Sequence, residues 1–251
     1  TTSNAFSQTL SGLSAHNNST GYAGAFLYLS GIKTNTVAPQ DCRDYREYIV
    51  NPLSTTLVPG KTYIVSMYVR LANVSRYAIK NIGMLFTNNI PIQNVIGQMA
   101  STIATSPGQF ITTFTASPIT DKTGWTLLKT TITANAAYNH ITIGNFNTNG
   151  ATTVTDLNQA GWTTYDAATA TFNPAANKVA DCAYYYIDDV SIKPIDLTVK
   201  PDVSICSPNS VPLTSTLSCL PAGSTVTYTW TPSTALTTIN TASTTASPSV
   251  T

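Results

Sequence analysis

Asp188 and Asp189 stand side by side in an otherwise apolar and aromatic run, Tyr184-Tyr185-Tyr186-Ile187-Asp188-Asp189-Val190. Neighbouring side chains on a strand point to opposite faces, so one of the two carboxylates is expected to be directed inward. A buried carboxylate is costly unless it is paired or coordinates a cation. Carboxylate and backbone carbonyl oxygens suit calcium, a hard ion. Asp188 and Asp189 are therefore candidate calcium ligands, the alternative being a carboxylate hydrogen-bonded to backbone amides or paired with an arginine. A second concentration of charge is Asp41-Cys42-Arg43-Asp44-Tyr45-Arg46-Glu47. Paired carboxylates could serve a glycosidase, but two adjoining arginines would hold Asp44 and Glu47 ionised, whereas a general acid needs a raised pKa. An ion-paired lead into a strand, fixed by a disulfide, is the expected role.

Aromatic residues supply a third kind of chemistry, because a ring face packs on the apolar face of a pyranose. Trp162 and Tyr165 lie together in a polar stretch beside Asn158 and Gln159, and Tyr68 and Arg70 project from the non-core side of their strand. These four are the candidate ligand-binding residues, solvated surface positions being the alternative. Trp125 and Trp230 flank strands and read as core packing. His16 and His140 have no partner motif and read as structural or exposed. No Ser-His-Asp order, Gly-rich phosphate loop or HExxH is present.

Composition agrees with this poverty of catalytic groups. The chain has 251 residues, enough for one or two domains at about 150 residues each, and its hydrophobic fraction of 42% suffices for a packed core. Charged residues make up 9%, against roughly 25% in an ordinary soluble domain. Twelve Lys and Arg against eleven Asp and Glu leave a net charge of +1, which removes the electrostatic basis for binding nucleic acid or an anionic membrane. Glu47 is the only glutamate. No enzyme is expected. No apolar run approaches the ~18 residues of a membrane helix. The chain starts at Thr1 with no signal-like segment, as a processed product or a fragment would.

The elements that must position these residues are strands. Thr and Tyr are abundant, Asn, Ser, Gly and Pro punctuate the chain, and long stretches of strong helix formers are absent. In Tyr63 to Leu71 the odd positions are apolar, which predicts a half-buried strand with Tyr63, Val65, Met67, Val69 and Leu71 facing the core. Ala23 to Leu29 is a strand-sized apolar run. Further strands read at 47–49, 82–87, 125–133, 141–146 and 183–192, and together they predict a sandwich of two antiparallel sheets. Two stretches, 88–122 and 147–181, are weakly periodic and of a length that usually marks functional or mobile loops. A boundary falls at Lys193-Pro194-Ile195-Asp196, giving domains 1–195 and 196–251. The second holds three short alternating stretches, 199–206, 210–219 and 225–230, like the first part of an immunoglobulin-like domain. Four cysteines without zinc-site spacing favour disulfides in an exported protein, expected within domains as Cys42–Cys182 and Cys206–Cys219, with free thiols as the alternative.

Gly21-Tyr22-Ala23-Gly24, Tyr45-Arg46-Glu47-Tyr48-Ile49, Leu57-Val58-Pro59-Gly60-Lys61-Thr62-Tyr63, Tyr77 to Gly83, Gly124-Trp125, Ile143-Gly144-Asn145-Phe146 and Tyr185 to Val190 occur in an order that resembles a jelly-roll domain of large Bacteroidetes cell-surface proteins. Ile205-Cys206, Tyr228-Thr229-Trp230-Thr231-Pro232 and Ala246-Ser247-Pro248 resemble the PKD-like repeats of gliding-motility and type IX-secreted adhesins. The resemblance implies an all-β chain, a jelly-roll sandwich similar to galactose-binding-like carbohydrate-binding modules followed by a partial PKD-like, immunoglobulin-like sandwich. It also implies a structural calcium near Asp188 and Asp189, although nothing before Gly21 matches the Asn-Pro-Ser-Phe-Glu type strand that supplies ligands in the family. The expected function is non-catalytic, extracellular, cell-surface adhesion through a polysaccharide or glycan. The alternative is a structural spacer or fibre subunit joined to neighbouring copies by strand addition.

Overall fold

The computed structural model describes residues 15–18, 21–30, 32–34, 39–41, 45–73, 75–90, 108–111, 114–157, 163–164, 178–179, 182–206, 208–218 and 225–249. Eight strands build the main body: β1 (Ala23–Leu29), β2 (Ile49–Pro52), β3 (Thr62–Leu71), β4 (Gly83–Thr87), β5 (Gln109–Ile111), β6 (Thr126–Thr133), β7 (His140–Gly144) and β8 (Cys182–Pro194). They form two four-stranded sheets, ordered β1-β8-β3-β6 and β2-β7-β4-β5, in which all pairings are antiparallel. The chain changes sheet at every step except the β4–β5 connection, and its last strand enters between β1 and β3. That order is a jelly roll, the double-sheet solution in which two Greek keys share one core.

The predicted period-2 strand is β3, with Val65, Met67, Val69 and Leu71 fully buried. They meet Met84 and Phe86 of β4, Ile141 and Ile143 of β7, Leu128 and Ile132 of β6, Ala25 and Leu27 of β1 and Ala183, Tyr185 and Ile187 of β8 in one core. Each such large side chain contributes about 1.5–3 kcal/mol. Tyr185 is the polar member. Its hydroxyl accepts from the Ile79 amide at 2.9 Å and donates to the Ile119 carbonyl at 2.8 Å, so it fastens two connections to the core, and burial raises its pKa far above the ordinary phenol.

One end of the sandwich is sealed by polar groups. Arg46 is 1% exposed, and its guanidinium donates to the carbonyls of Tyr45 (2.7 Å) and Asn147 (3.0 Å) and to Asn149 Oδ1 (2.8 Å). Glu47 points the other way, accepting from the Phe26 amide at 2.9 Å and the Tyr45 hydroxyl at 3.0 Å. Alternation along 45–48 separates this carboxylate from its neighbouring arginine, so Glu47 anchors β1 rather than pairing with Arg46. Asn145, wholly buried, donates to Leu27 O at 2.9 Å and accepts from the Asn147 amide at 3.0 Å.

Parts of the two long stretches carry strands that weak periodicity did not reveal. β5 lies in the first. In the second, Val154–Asp156 pairs with Tyr77–Ile79, and Thr163–Thr164 pairs with Lys178–Val179. Past β8, a separate antiparallel sheet holds β9 (Leu197–Val199), β10 (Val211–Leu217) and β11 (Ser243–Ala246) in that order. The strand predicted at 225–230 does not form. Val226, Tyr228 and Trp230 still alternate inward, but Trp230 bonds to a turn, through its amide to Ile239 O (2.9 Å) and its indole N–H to Thr241 O (2.7 Å). The predicted boundary lies in the two residues between β8 and β9, where Ile195 N–H reaches Thr62 O at 2.9 Å and Asp196 pairs with Lys61 at 2.6 Å.

Tyr185→Phe should lower stability by about 1–3 kcal/mol, because it strands a buried amide and carbonyl. The check is denaturant unfolding of both proteins; an unchanged midpoint would show that the two connections are held otherwise.

Candidate functional site

The outer face of the β1-β8-β3-β6 sheet carries a continuous ladder of aromatic rings. β8 alternates, so that Tyr185 goes into the core and Tyr184 and Tyr186 lie on the opposite face of the sheet, where Tyr186 is 3% exposed and buried beneath Tyr22, Trp125 and Tyr184. From Tyr45 the ladder runs to Phe26 (6.4 Å between centroids), Tyr184 (4.8 Å), Tyr186 (5.4 Å), Tyr22 (5.2 Å), Trp125 (6.0 Å), His16 (6.2 Å) and Tyr68 (3.5 Å). All these contacts are edge-on except the last, at 20° between planes. Edge-on pairs at such distances are favoured by the ring quadrupole. Gly24 makes room for the ladder, since a β-carbon there would collide with the Tyr184 ring. Burial pushes the Tyr184 hydroxyl up to about 12, with the charge of Glu47 adding to it, so it is a neutral donor at physiological pH. Trp125, expected in the core, instead joins this outer cluster with Tyr22, Tyr184 and Tyr186.

Charged groups rim the ladder. Arg70 Nε donates to the Lys122 carbonyl at 2.9 Å. Lys122 Nζ donates to Asn73 O at 3.0 Å and to Ser75 O, and burial pulls this amine down to about 8. Asp121 accepts from the amides of Gly124 (2.9 Å) and Thr123 (2.8 Å), which hold its carboxyl below the usual range, assisted by Arg70. The loop before Trp125 is thereby fixed to β3.

The expectation that one of the carboxylates of Asp188 and Asp189 points inward does not hold, both being half-buried. The register of β8 against β3 slips between Asp188 and Ser191, and Asp189 has φ +46°, a left-handed conformation that Asp and Asn tolerate. This bulge breaks the alternation, so neither carboxylate enters the core and both reach the same residue, His16. The His16 amide donates to Asp188 Oδ2 at 2.8 Å, and its Nδ1 lies 2.6 Å from Asp189 Oδ2, which also accepts from Asn17 Nδ2 at 2.9 Å. The bond from His16 keeps Asp189 below the ordinary carboxylate range. Among the described residues no group of three or more His, Cys, Asp or Glu that could hold a metal ion is found, and a structural calcium at this pair is a proposal.

Of the other predicted residues, Tyr68 and Arg70 lie half-buried on the outer face of β3, where Tyr68 takes the ladder's last place. Trp162 and Tyr165 lie outside the described residues. Cys182 is buried at the start of β8 and Cys206 is exposed; Cys42 and Cys219 lie outside the described residues, so the pairings Cys42–Cys182 and Cys206–Cys219 are not placed. His140, on β7, is 2.6 Å from Asn139 Oδ1 through Nδ1. Sequence reasoning missed His16, Tyr22, Phe26, Tyr184 and Tyr186 as site residues; the outward parity of Tyr184 and Tyr186, given an inward Tyr185, was the available signal.

A second surface lies at the sandwich edge. β8 pairs with β1 only as far as Ile187, against Ala23, whereas on its other side it follows β3 to Pro194. Among the described residues, no strand pairs with the β1 side of Val190–Pro194. An apolar groove runs there, lined by Ile49, Leu53, Leu57, Val58, Val190 and Ile192, and Val58 and Val190 are 53% and 43% exposed.

No protein-family model matches the chain, and no curated protein matches it. A solved structure described as "CBM4 structure and function" aligns with a TM-score of 0.31 and 13% identity, over 70% of this chain and 76% of that one. A TM-score of that size does not equate two folds, and the jelly-roll assignment stands on the strand order alone.

Proposed function

We propose that this chain is a non-catalytic, extracellular adhesion module of a larger surface protein, binding glycans through the outer face of the β1-β8-β3-β6 sheet. The observation that carries this reading is the aromatic ladder from Tyr45 to Tyr68, with neutral tyrosine hydroxyls and the Arg70–Asp121–Lys122 rim beside it. Rings present flat apolar surface to the C–H face of a pyranose, and hydroxyls and amide groups around them take its oxygens. Such contact is shallow, and weak single sites gain strength when the module is repeated along a fibre. Residues 196–251 serve in this reading as an immunoglobulin-like, PKD-like unit.

A specific observation favours a second reading, strand addition between copies in a fibre. Among the described residues the β1 side of Val190–Pro194 has no strand partner, and in this reading a strand from a neighbouring copy pairs there and places side chains in the groove beside it.

Affinity electrophoresis against galactomannan, xylan and β-glucan is expected to retard the protein on at least one of them, and Trp125→Ala or Tyr184→Ala should cut that binding about tenfold or more, the range of a lost stacking contact of ~1.5 kcal/mol. Retardation that survives both substitutions would move the site elsewhere. For the second reading, sedimentation should show concentration-dependent oligomers that Val190→Lys abolishes; a monomer at every concentration counts against it. The extracellular setting carries its own check: in unreduced, unfolded protein all four cysteines should resist alkylation, and four labelled thiols would remove both proposed disulfides.

A further inference from the structure

The Tyr68 end of the ladder differs from the rest in geometry, because a second ring is stacked on its face. His16 lies on it at 3.5 Å and 20°, whereas every other ladder contact is edge-on. The covering ring is flat, and its polar edge meets a carboxylate oxygen, Asp189 Oδ2, at 2.6 Å. A pyranose on this platform needs the same two contacts, a face against the phenol ring and hydroxyls on oxygen acceptors. Resting on the glycan reading, we propose that His16 is an internal stand-in for a neutral sugar ring: it closes a subsite formed by Tyr68, Asp188 and Asp189, and the sugar displaces it.

The cover is built to be removable. It is a single turn, Ala15 to Asn18, tied by the His16 amide to Asp188, by the imidazole to Asp189 and by Asn17 to Asp189. The side chain of Asp189 is 34% exposed and that of His16 17%, so water reaches the carboxylate and competes for these bonds, the Asn17 bond being exposed. A sugar ring that displaces the turn also inherits its partners, the Tyr68 face and the two carboxylates, whose acceptor oxygens suit vicinal hydroxyls. An anionic sugar would meet two carboxylates, which restricts the subsite to neutral rings. Apparent affinity is then the intrinsic affinity scaled by the fraction of molecules with His16 off Tyr68.

The test uses the full chain, with galactomannan, xylan and β-glucan as probes and Trp125→Ala as the ladder control. His16→Ala should bind about 10-fold tighter than the wild type, the effect of opening a subsite that is free in about a tenth of molecules. Asn17→Ala, which removes one tie of the turn to Asp189 and leaves the subsite itself intact, should shift binding the same way by less. A readout without sugar accompanies it: nitration of Tyr68 by tetranitromethane, mapped by peptide mass, should be slow in the wild type and faster in both variants. Binding that is unchanged or weaker in His16→Ala and Asn17→Ala, while Trp125→Ala weakens it, overturns the proposal and leaves the glycan reading standing. No binding by wild type or either variant overturns both.

Discussion

The molecule depends on the placement of β8 between β1 and β3. Without it the β1-β8-β3-β6 sheet is a lone strand beside a pair, and the core loses Ala183, Tyr185 and Ile187 together. With it, the parity of three consecutive tyrosines divides the labour. Tyr185 is turned into the core with its hydroxyl fully engaged, and Tyr184 and Tyr186 are turned out, where they become the middle of the aromatic ladder. One register decision thus fixes both the interior and the face that is proposed to meet a ligand. A slip by one residue would exchange the two sets.

The far end of β8 departs from that parity at Asp189, and the departure has a local purpose. Two acidic side chains that strict alternation would send to opposite faces come out on one side, where they meet an amide and an imidazole from the turn at His16. A carboxylate in the core would have needed a cation or an arginine; a left-handed residue in a bulge avoids the requirement. At the other end, buried charge is handled by a different device. Arg46 is wholly enclosed, with backbone carbonyls and an amide oxygen from 145–152 at its guanidinium, which closes the sandwich with hydrogen bonds where apolar side chains run out.

The strands that alternate over many residues were legible in the sequence, because burial on one face writes itself into every second position: β3 is the clear case, and β1 follows from a bounded apolar run. β5 was not legible, since three residues in a Thr- and Ser-rich stretch carry no period. The stretch at 225–230 shows the converse. Its alternation is real in burial, but its backbone partners are turn carbonyls, and periodicity reports faces rather than hydrogen bonds. The ladder was legible only in fragments. Its rings come from points as distant as Tyr22 and Tyr186, and only Tyr68 was singled out, because residues gathered by strand order leave no local spacing to read. His16 had no partner motif for the same reason, and the bulge that turns both carboxylates toward it depends on a backbone angle that residue types do not disclose.

The insertion of the last strand between two early ones also sets the order in which this fold can come into being. β1 and β3 leave the ribosome long before β8, and until β8 arrives both hold an open edge with apolar residues behind it. The β4–β5 pair, joined through residues 88–108, can close earlier, but the β1-β8-β3 junction closes only after a loop spanning most of the body has been formed, a non-local step of the kind that makes β-sandwiches slow to fold. The aromatic ladder is assembled by that same event, since its rings are shared between early and late strands. Partly made copies therefore have no ladder, and the surface exists only in molecules that have finished folding.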